Sequence, residues 1–308
     1  MMKIMKDEDL AGTALMPVAI EALEAAFAAK ARGMFISPSR HHVAFPGNGD
    51  LVFTVGGILG ERPLAGFRVY ETFDGPEHSQ IVALWSANNA KLKGIVLGER
   101  LGQIRTGAIG GIAIRHLSAP NARTIGVIGS GAQARTQLIA AAAVREIEAI
   151  RVFSRDEKSR KAFAKEMQRA LGIAIEPVKS VAEAVADADI VLCATDSDVP
   201  VIHASELKPG VHINTVGPKT LTGHEIGLDI ADAADLIATD SLEQTRTYAS
   251  PFFLAESRHE RRIRELADIV AKNTPGRTSP FDTTLFCSVG LAGTEVIVAS
   301  AIFDALRD

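Results

Sequence analysis

The sequence predicts an α/β protein in which a doubly wound parallel sheet is joined to a smaller α+β part with an antiparallel sheet. Three observations carry this reading. From Thr124 onward, strand-like and helix-like runs alternate, the pattern of parallel strands linked by crossover helices. Between His41 and Leu97, short strand-like runs follow one another at hairpin spacing. The run Thr124-Ile125-Gly126-Val127-Ile128 enters Gly129-Ser130-Gly131-Ala132-Gln133-Ala134, the G-x-G-x-x-A turn that opens a Rossmann-type βαβ unit.

The elements follow in order. Pro17 suits a first helical position and Gly33 closes the pattern; between them Ile20, Leu23 and Phe27 share one helical face. Strands are expected at 41–45, 51–55, 66–70, 80–85 and 92–97, separated by Pro46-Gly47-Asn48-Gly49, Asp74-Gly75-Pro76 and Asn88-Asn89. A helix is expected over 99–117 and is broken by Ser118-Ala119-Pro120-Asn121, which sets a boundary near Asn121. Parallel strands are then expected at 124–128, 150–153, 173–175, 190–194, 212–215 and 236–239, and a last helix over 290–306.

Composition excludes several classes. The 308 residues are 47% apolar, enough for a real core, and carry a formal charge of -4; nucleic acid asks for a basic face instead. The two cysteines, Cys193 and Cys287, are too few for a disulfide framework or a zinc site, which points to a reducing compartment. The charged stretch 1–10 has no apolar h-region, and no apolar run reaches the roughly 18 residues of a spanning helix, so a cytoplasmic protein without membrane contact is expected. His41, His42, His78, His203, His212 and His224 lack metal-ligand spacing, and no metal is expected.

The glycine turn predicts a phosphate site. Gly129 allows the tight turn, Gly131 lets the backbone approach a pyrophosphate, and Ala134 permits close packing of helix on strand. Ser130, Ala132 and Gln133 complete the expected contact at the helix N-terminus, where free N–H groups favour an anion. The competing reading is a glycine-rich turn without a ligand. The second strand ends Val152-Phe153-Ser154-Arg155-Asp156. Ser154 and Arg155, where an NAD site usually has an acid, suit a 2′-phosphate and favour NADP(H) over NAD(H). Against this, Arg155 also reads as a solvated loop residue, with Asp156 capping the next helix or binding a ribose.

Upstream, Arg105-Thr106-Gly107-Ala108 resembles the R-T-[AG]-A helix of the ornithine cyclodeaminase/mu-crystallin family. The same family is matched in order by Pro38-Ser39-Arg40, Gly66-Phe67-Arg68-Val69, Ala194 to Val201, Asn214-Thr215-Val216-Gly217 and Phe286 to Ala292. The resemblance covers nearly the whole chain from about Arg40 onward. It implies that 1–120 with 290–308 form a substrate and dimerisation domain, that 121–289 form the dinucleotide domain, and that the protein is a homodimer acting on a small carboxylate. Arg40 and Arg105 match positions that bind the substrate carboxylate. Thr106 matches one beside the cofactor phosphates, and Thr195, Val216, Val289 and Gly290 fall in motifs that face the cofactor.

Two departures bear on the substrate. Arg68 stands where many members have lysine, and a guanidinium cannot lose its proton at useful pH. Lys219 follows the N-x-x-G turn where cyclodeaminases carry an acid, and Thr54-Val55-Gly56-Gly57 also lacks one. Arg40, Arg68 and Arg105, with Lys219 as a further candidate, are therefore expected to form a pocket without carboxylates, which disfavours ornithine and its second ammonium. Lys219 reads as a proton donor, an anion clamp or a solvated loop residue. If ornithine were used, Glu71, Asp74 or Glu77 would have to supply the missing acid. The leading expectation is an oxidoreductase of the ketimine reductase or amino-acid dehydrogenase type. A cyclodeaminase-type lyase and a non-catalytic dinucleotide binder are the alternatives.

Overall fold

The computed structural model describes residues 3–75, 78–247 and 250–306. Two units divide the chain: one runs up to Arg105 and resumes at Leu291, the other is Thr106–Gly290. The first unit begins with β1 (Lys3–Lys6), α1 (Leu15–Lys30), β2 (Phe35–Ile36), β3 (His41–Phe45), β4 (Gly49–Ile58), β5 (Leu64–Glu71), β6 (Gln80–Ser86), β7 (Lys91–Leu97) and the start of α2 (Arg100–Leu117). The second holds the rest of α2, then β8 (Thr124–Ile128), α3 (Ala132–Val144), β9 (Ala149–Phe153), α4 (Glu157–Leu171), β10 (Ile175–Pro177), α5 (Val181–Val185) and β11 (Ile190–Cys193). It continues with β12 (His212–Thr215), β13 (Lys219–Thr220), β14 (Gly223–His224), α6 (Leu228–Ala233), β15 (Leu236–Thr239), α7 (Leu242–Arg246), β16 (Ile263–Glu265), α8 (Leu266–Val270) and β17 (Thr284–Cys287). Finally α9 (Thr294–Ala305) returns to the first unit.

The first unit is a mixed sheet ordered β1-β7-β6-β5-β4-β2, with β3 also on β4. All its pairs are antiparallel except β1 with β7. Helix α1 starts at Leu15, so Pro17 is its third residue rather than its first. That position is still in the first turn, whose N–H groups have no intrahelical partner, so the missing donor costs nothing. Helix α9 is buried along most of its length and packs on α1 and on the sheet. Its expected start at 290 gives way to Thr294 because Gly290 and Gly293 both adopt left-handed backbone, at φ 84° and 82°. A Cβ on Gly56 would stand 2.6 Å from the Gly293 Cα. The glycine pair thus seats the N-terminus of α9 directly on β4, two residues before Glu295.

The second unit is a parallel sheet ordered β10-β9-β8-β11-β12-β17-β15-β16. Alternate residues of β11 enter two different apolar clusters, Ile190 and Leu192 in one, Val191 and Cys193 in the other. Both faces are covered, which is why β11 reads as an unbroken apolar run. The strand expected at 173–175 lies two residues later, and β1, β2, β13, β14, β16 and β17 were not anticipated. Pro177 ends the edge strand β10, where its missing N–H is tolerated.

Strand order reverses between β8 and β11, and this is the switch point where such sheets leave a crevice at their carboxyl ends. Beneath it lies a buried polar chain. His212 Nδ1 meets Thr284 Oγ1 at 2.8 Å and its Nε2 meets Asn214 Oδ1 at 3.0 Å. Asn214 donates to the Gly110 carbonyl, and Gln137 donates to the Thr106 carbonyl. Burial pushes the His212 imidazole down to about 3, so it is neutral. Among the described residues no helix is long and apolar enough to cross a membrane.

Candidate active site

The crevice of the second unit is a cleft of about 650 Å³, within the range of small-molecule sites. Gly129 turns the chain out of β8 at φ 110°, and a Cβ there would stand 2.2 Å from the Ala194 carbonyl, so only glycine fits. Gly131 has ordinary φ of -82° and nothing within 4 Å of where its Cβ would be; it faces open space. Helix α3 begins there with no side-chain cap and no acidic residue in its first turn. Its leading N–H groups and its positive dipole end are left for an anion. Gln133 Oε1, also in the cleft wall, is buried without a hydrogen-bond partner. An uncapped helix end and an open glycine together fit a dinucleotide pyrophosphate, while the Gln133 oxygen is an acceptor and suits a hydroxyl or amide donor of the same ligand.

Nine of the residues assigned from sequence line this one cleft: Gly129, Ser130, Gly131, Ala132, Gln133, Ser154, Arg155, Thr195 and Val216. Ser130 Oγ and Ser154 Oγ are 3.1 Å apart, joining the glycine turn to the tip of β9. Arg155 is exposed and pairs at 3.2 Å with Asp196, another lining residue. Asp156 caps α4 by accepting from Ser159 N at 2.7 Å. Thr106, Val289 and Gly290 are not part of the lining. The backbone N–H groups of Val289 and Gly290 donate to Asp240, at 2.7 and 2.8 Å.

Lys219 is buried in the second unit, not on a solvated loop. Its Nζ donates to the Gly217 carbonyl. Burial pushes its ammonium down while the buried Glu225 carboxylate opposes that. A carboxylate therefore lies within electrostatic reach of Lys219: Glu225, just past the end of β14 and six positions along the chain.

The first unit gathers Arg40, Arg68 and Arg105 around a residue that sequence reasoning missed, Glu295. Arg68 Nη1 reaches Glu295 Oε1 at 2.7 Å, and Arg105 reaches the same oxygen with Nη2 at 2.6 Å and Nε at 2.8 Å. Arg68 Nε also donates to Gln80 Oε1 at 2.8 Å, and its guanidinium lies 4.1 Å from the Tyr70 ring centre. Burial alone would raise the Glu295 carboxyl; Arg105, Arg68 and, more weakly, Arg40 overcome it and hold it at about 2. Burial pushes the Arg68 guanidinium below its usual value, with Glu295 holding it up. The arginine cluster is thus not free of acid, because one carboxylate offsets part of three positive charges. An acid in the first turn of the mostly apolar run Thr294–Ala305 was the available signal. Of the three fallback acids, Glu71 is engaged by the N–H groups of Phe73 and Ser79 and by His78. Asp74 has no hydrogen bond or ion pair among the described residues that would draw it to the cluster, and Glu77 lies outside those residues.

Comparison with known proteins bears on both halves. The model of the ornithine cyclodeaminase/mu-crystallin family matches residues 2–308. A Δ1-pyrroline-2-carboxylate reductase of Bacillus cereus is 33% identical over 232 residues, covering 73% of this chain and 70% of that one. The Thermococcus litoralis Δ1-pyrroline-2-carboxylate reductase, solved with NADH and L-proline, superposes with a TM-score of 0.87 at 29% identity, covering 99% and 98% of the two chains. An archaeal alanine dehydrogenase, solved as a dimer with bound NAD, gives 0.87 at 27% identity and covers 99% and 96%.

Proposed function

The chain belongs to the ornithine cyclodeaminase/mu-crystallin family, and from that premise we propose that it is a nicotinamide-dependent oxidoreductase interconverting a small imino acid and its amino acid. A cyclic imino acid of the pyrroline-2-carboxylate kind is the first candidate, as in the relatives from Bacillus cereus and Thermococcus litoralis. The observation that carries the reading is the cleft at the sheet's switch point, with its uncapped helix and open Gly131. A bound nicotinamide supplies or accepts the hydride. The chain's own residues bind and orient. Arg40, Arg68 and Arg105 outweigh Glu295 in charge, so their cluster attracts the substrate carboxylate, and a guanidinium fork holds both of its oxygens. Arg68 orients and polarises but takes no proton. With Glu295 engaged by two guanidiniums, the cluster offers no carboxylate to a side-chain ammonium, and ornithine remains disfavoured.

NADP(H) is the preferred cofactor in this reading. The exposed Arg155–Asp196 pair is worth at most about 1 kcal/mol, so a 2′-phosphate displaces Asp196 readily. The Asp156 carboxylate is turned to its helix cap rather than offered to a ribose hydroxyl. The protein is further assigned as a homodimer formed through the first unit's sheet, on which Ile36, Val43, Phe45, Val55 and Ile81 are exposed. The test is spectrophotometric: NADPH and NADH oxidation with pyrroline-2-carboxylate and with keto acids plus amines, beside an ammonia-release assay with ornithine. Proline formed from ornithine without net change in nicotinamide absorbance would replace this reading with the lyase one.

A further inference from the structure

The loops that close the dinucleotide cleft are tied together by a side chain that does not line it. Glu225 is fully buried. Its Oε2 accepts from Thr195 N at 2.8 Å and Thr195 Oγ1 at 2.7 Å, on the loop after β11. Its Oε1 accepts from Thr215 Oγ1 and Gly217 N, both at 2.6 Å, at the end of β12. Each oxygen serves one strand end, and Thr195, Val216 and Gly217 all line the cleft. The backbone of Glu225 is anchored in turn, donating from its N–H to the Pro218 carbonyl and accepting at its carbonyl from Val201 N. A Cβ on Gly217 would stand 2.5 Å from the carboxylate, so the glycine is what lets the acid approach this closely. Lys219 is also buried, and its Nζ donates to the carbonyl of Gly217, the residue whose N–H Glu225 holds.

We propose that Glu225 is a positioning residue for the cofactor, a carboxylate staple that fixes the spacing of the two loops, and that Lys219 serves it as buried counter-charge. This rests on the dinucleotide reading above. A carboxylate is required because it alone offers acceptors to both loops. In Glu225→Gln the side chain keeps one oxygen and turns an NH2 toward the donors of the other loop, releasing it. Stability by itself does not account for the pair, since neutral groups of similar volume commonly replace a buried ion pair without loss.

That difference separates a positioning role from a structural one. Three variants, Glu225→Gln, Lys219→Met and the double variant, are compared with wild type in three measurements: melting temperature, amide hydrogen exchange without ligand, and NADH and NADPH dissociation constants by fluorescence. Each single variant strands a buried charge or polar group and lowers the melting temperature; the double variant recovers most of it. Exchange at the Thr195 or Gly217 amide quickens in both variants that carry Glu225→Gln. Dinucleotide binding weakens by about tenfold or more in both, the cost of losing at least one charge-assisted hydrogen bond at the cleft, and is not recovered in the double variant. Wild-type affinity in the double variant, or unchanged exchange at both amides, overturns the staple while leaving the function reading intact. A wild-type protein that binds neither dinucleotide overturns both.

Discussion

Replacing Glu295 with glutamine removes one charge from the centre of the arginine cluster while keeping the side chain's size. The ionised carboxylate is held at about 2 against an ordinary 4.5, which at about 1.4 kcal/mol per pH unit corresponds to about 3 kcal/mol favouring the charged form in the folded protein. That agrees with the roughly 3–5 kcal/mol typical of breaking a buried pair from one side. Glu295→Gln should therefore lose about 3 kcal/mol in urea denaturation at pH 7. The sign with pH follows from the depressed folded value. The wild-type contribution is complete above 4.5 and disappears as the pH falls from there toward 2, so the gap between the two proteins narrows on acidification. The variant also leaves Arg68 and Arg105 without their anion, so a substrate-type carboxylate such as L-proline should raise its melting temperature more than it raises that of wild type. A loss below about 1 kcal/mol, or a gap that does not narrow in acid, would refute the charge assignment.

Other outcomes follow from single contacts. Gly131→Ala should leave stability within about 0.5 kcal/mol, because its φ is ordinary and its Cβ meets nothing, yet weaken NADH and NADPH binding in a fluorescence titration; unchanged binding would move the pyrophosphate elsewhere. Arg155→Ala should weaken NADPH and spare NADH, and equal losses for the two would end the NADP(H) assignment. His212 is held near 3 in the fold against 6.5 when exposed, so the unfolded chain takes the proton first. Its contribution is intact above 6.5 and falls by about 1.4 kcal/mol per pH unit between there and 3. His212→Gln should flatten that part of the stability profile, as read by chemical denaturation across pH. Light scattering should report a dimer at micromolar concentration, and a monomer would remove the role given to the exposed apolar residues of the first sheet.

The parts of the site that were legible in the sequence are local ones. The glycine turn, the strand before it and the helix after it lie within Thr124–Val144, and the tip of β9 follows in the same unit, so their meaning is carried by short-range geometry. Glu295 and Glu225 were not legible because their partners are distant or unremarkable in sequence. Arg68 is 227 residues from Glu295, and Thr195 is 30 from Glu225. An acid in an apolar helix carries no sign of which cations it will meet. Among strands, β3 was placed to the residue, since the Pro46–Gly49 turn fixes its end. The all-buried run Thr284-Leu285-Phe286-Cys287 was missed because a short apolar stretch lacks the alternation that separates a strand from a buried helical segment.

That late strand has a consequence for how the protein comes to be made. β17 is hydrogen-bonded between β12 and β15 in the interior of the parallel sheet, although it follows both in the chain. Until residues 284–287 have left the ribosome, two strand edges that should be joined face solvent, and such edges are templates for wrong pairing. The first unit waits even longer, because α9, which covers its sheet and α1, is synthesised after β17. Neither unit completes its core from its N-terminal portion alone, so folding of each waits for a segment that follows its other elements in the chain. Ribosome-bound chains stalled before residue 284 should be protease-sensitive throughout; protection should appear in Thr106–Gly290 once β17 has emerged, and in the first unit only once α9 has followed.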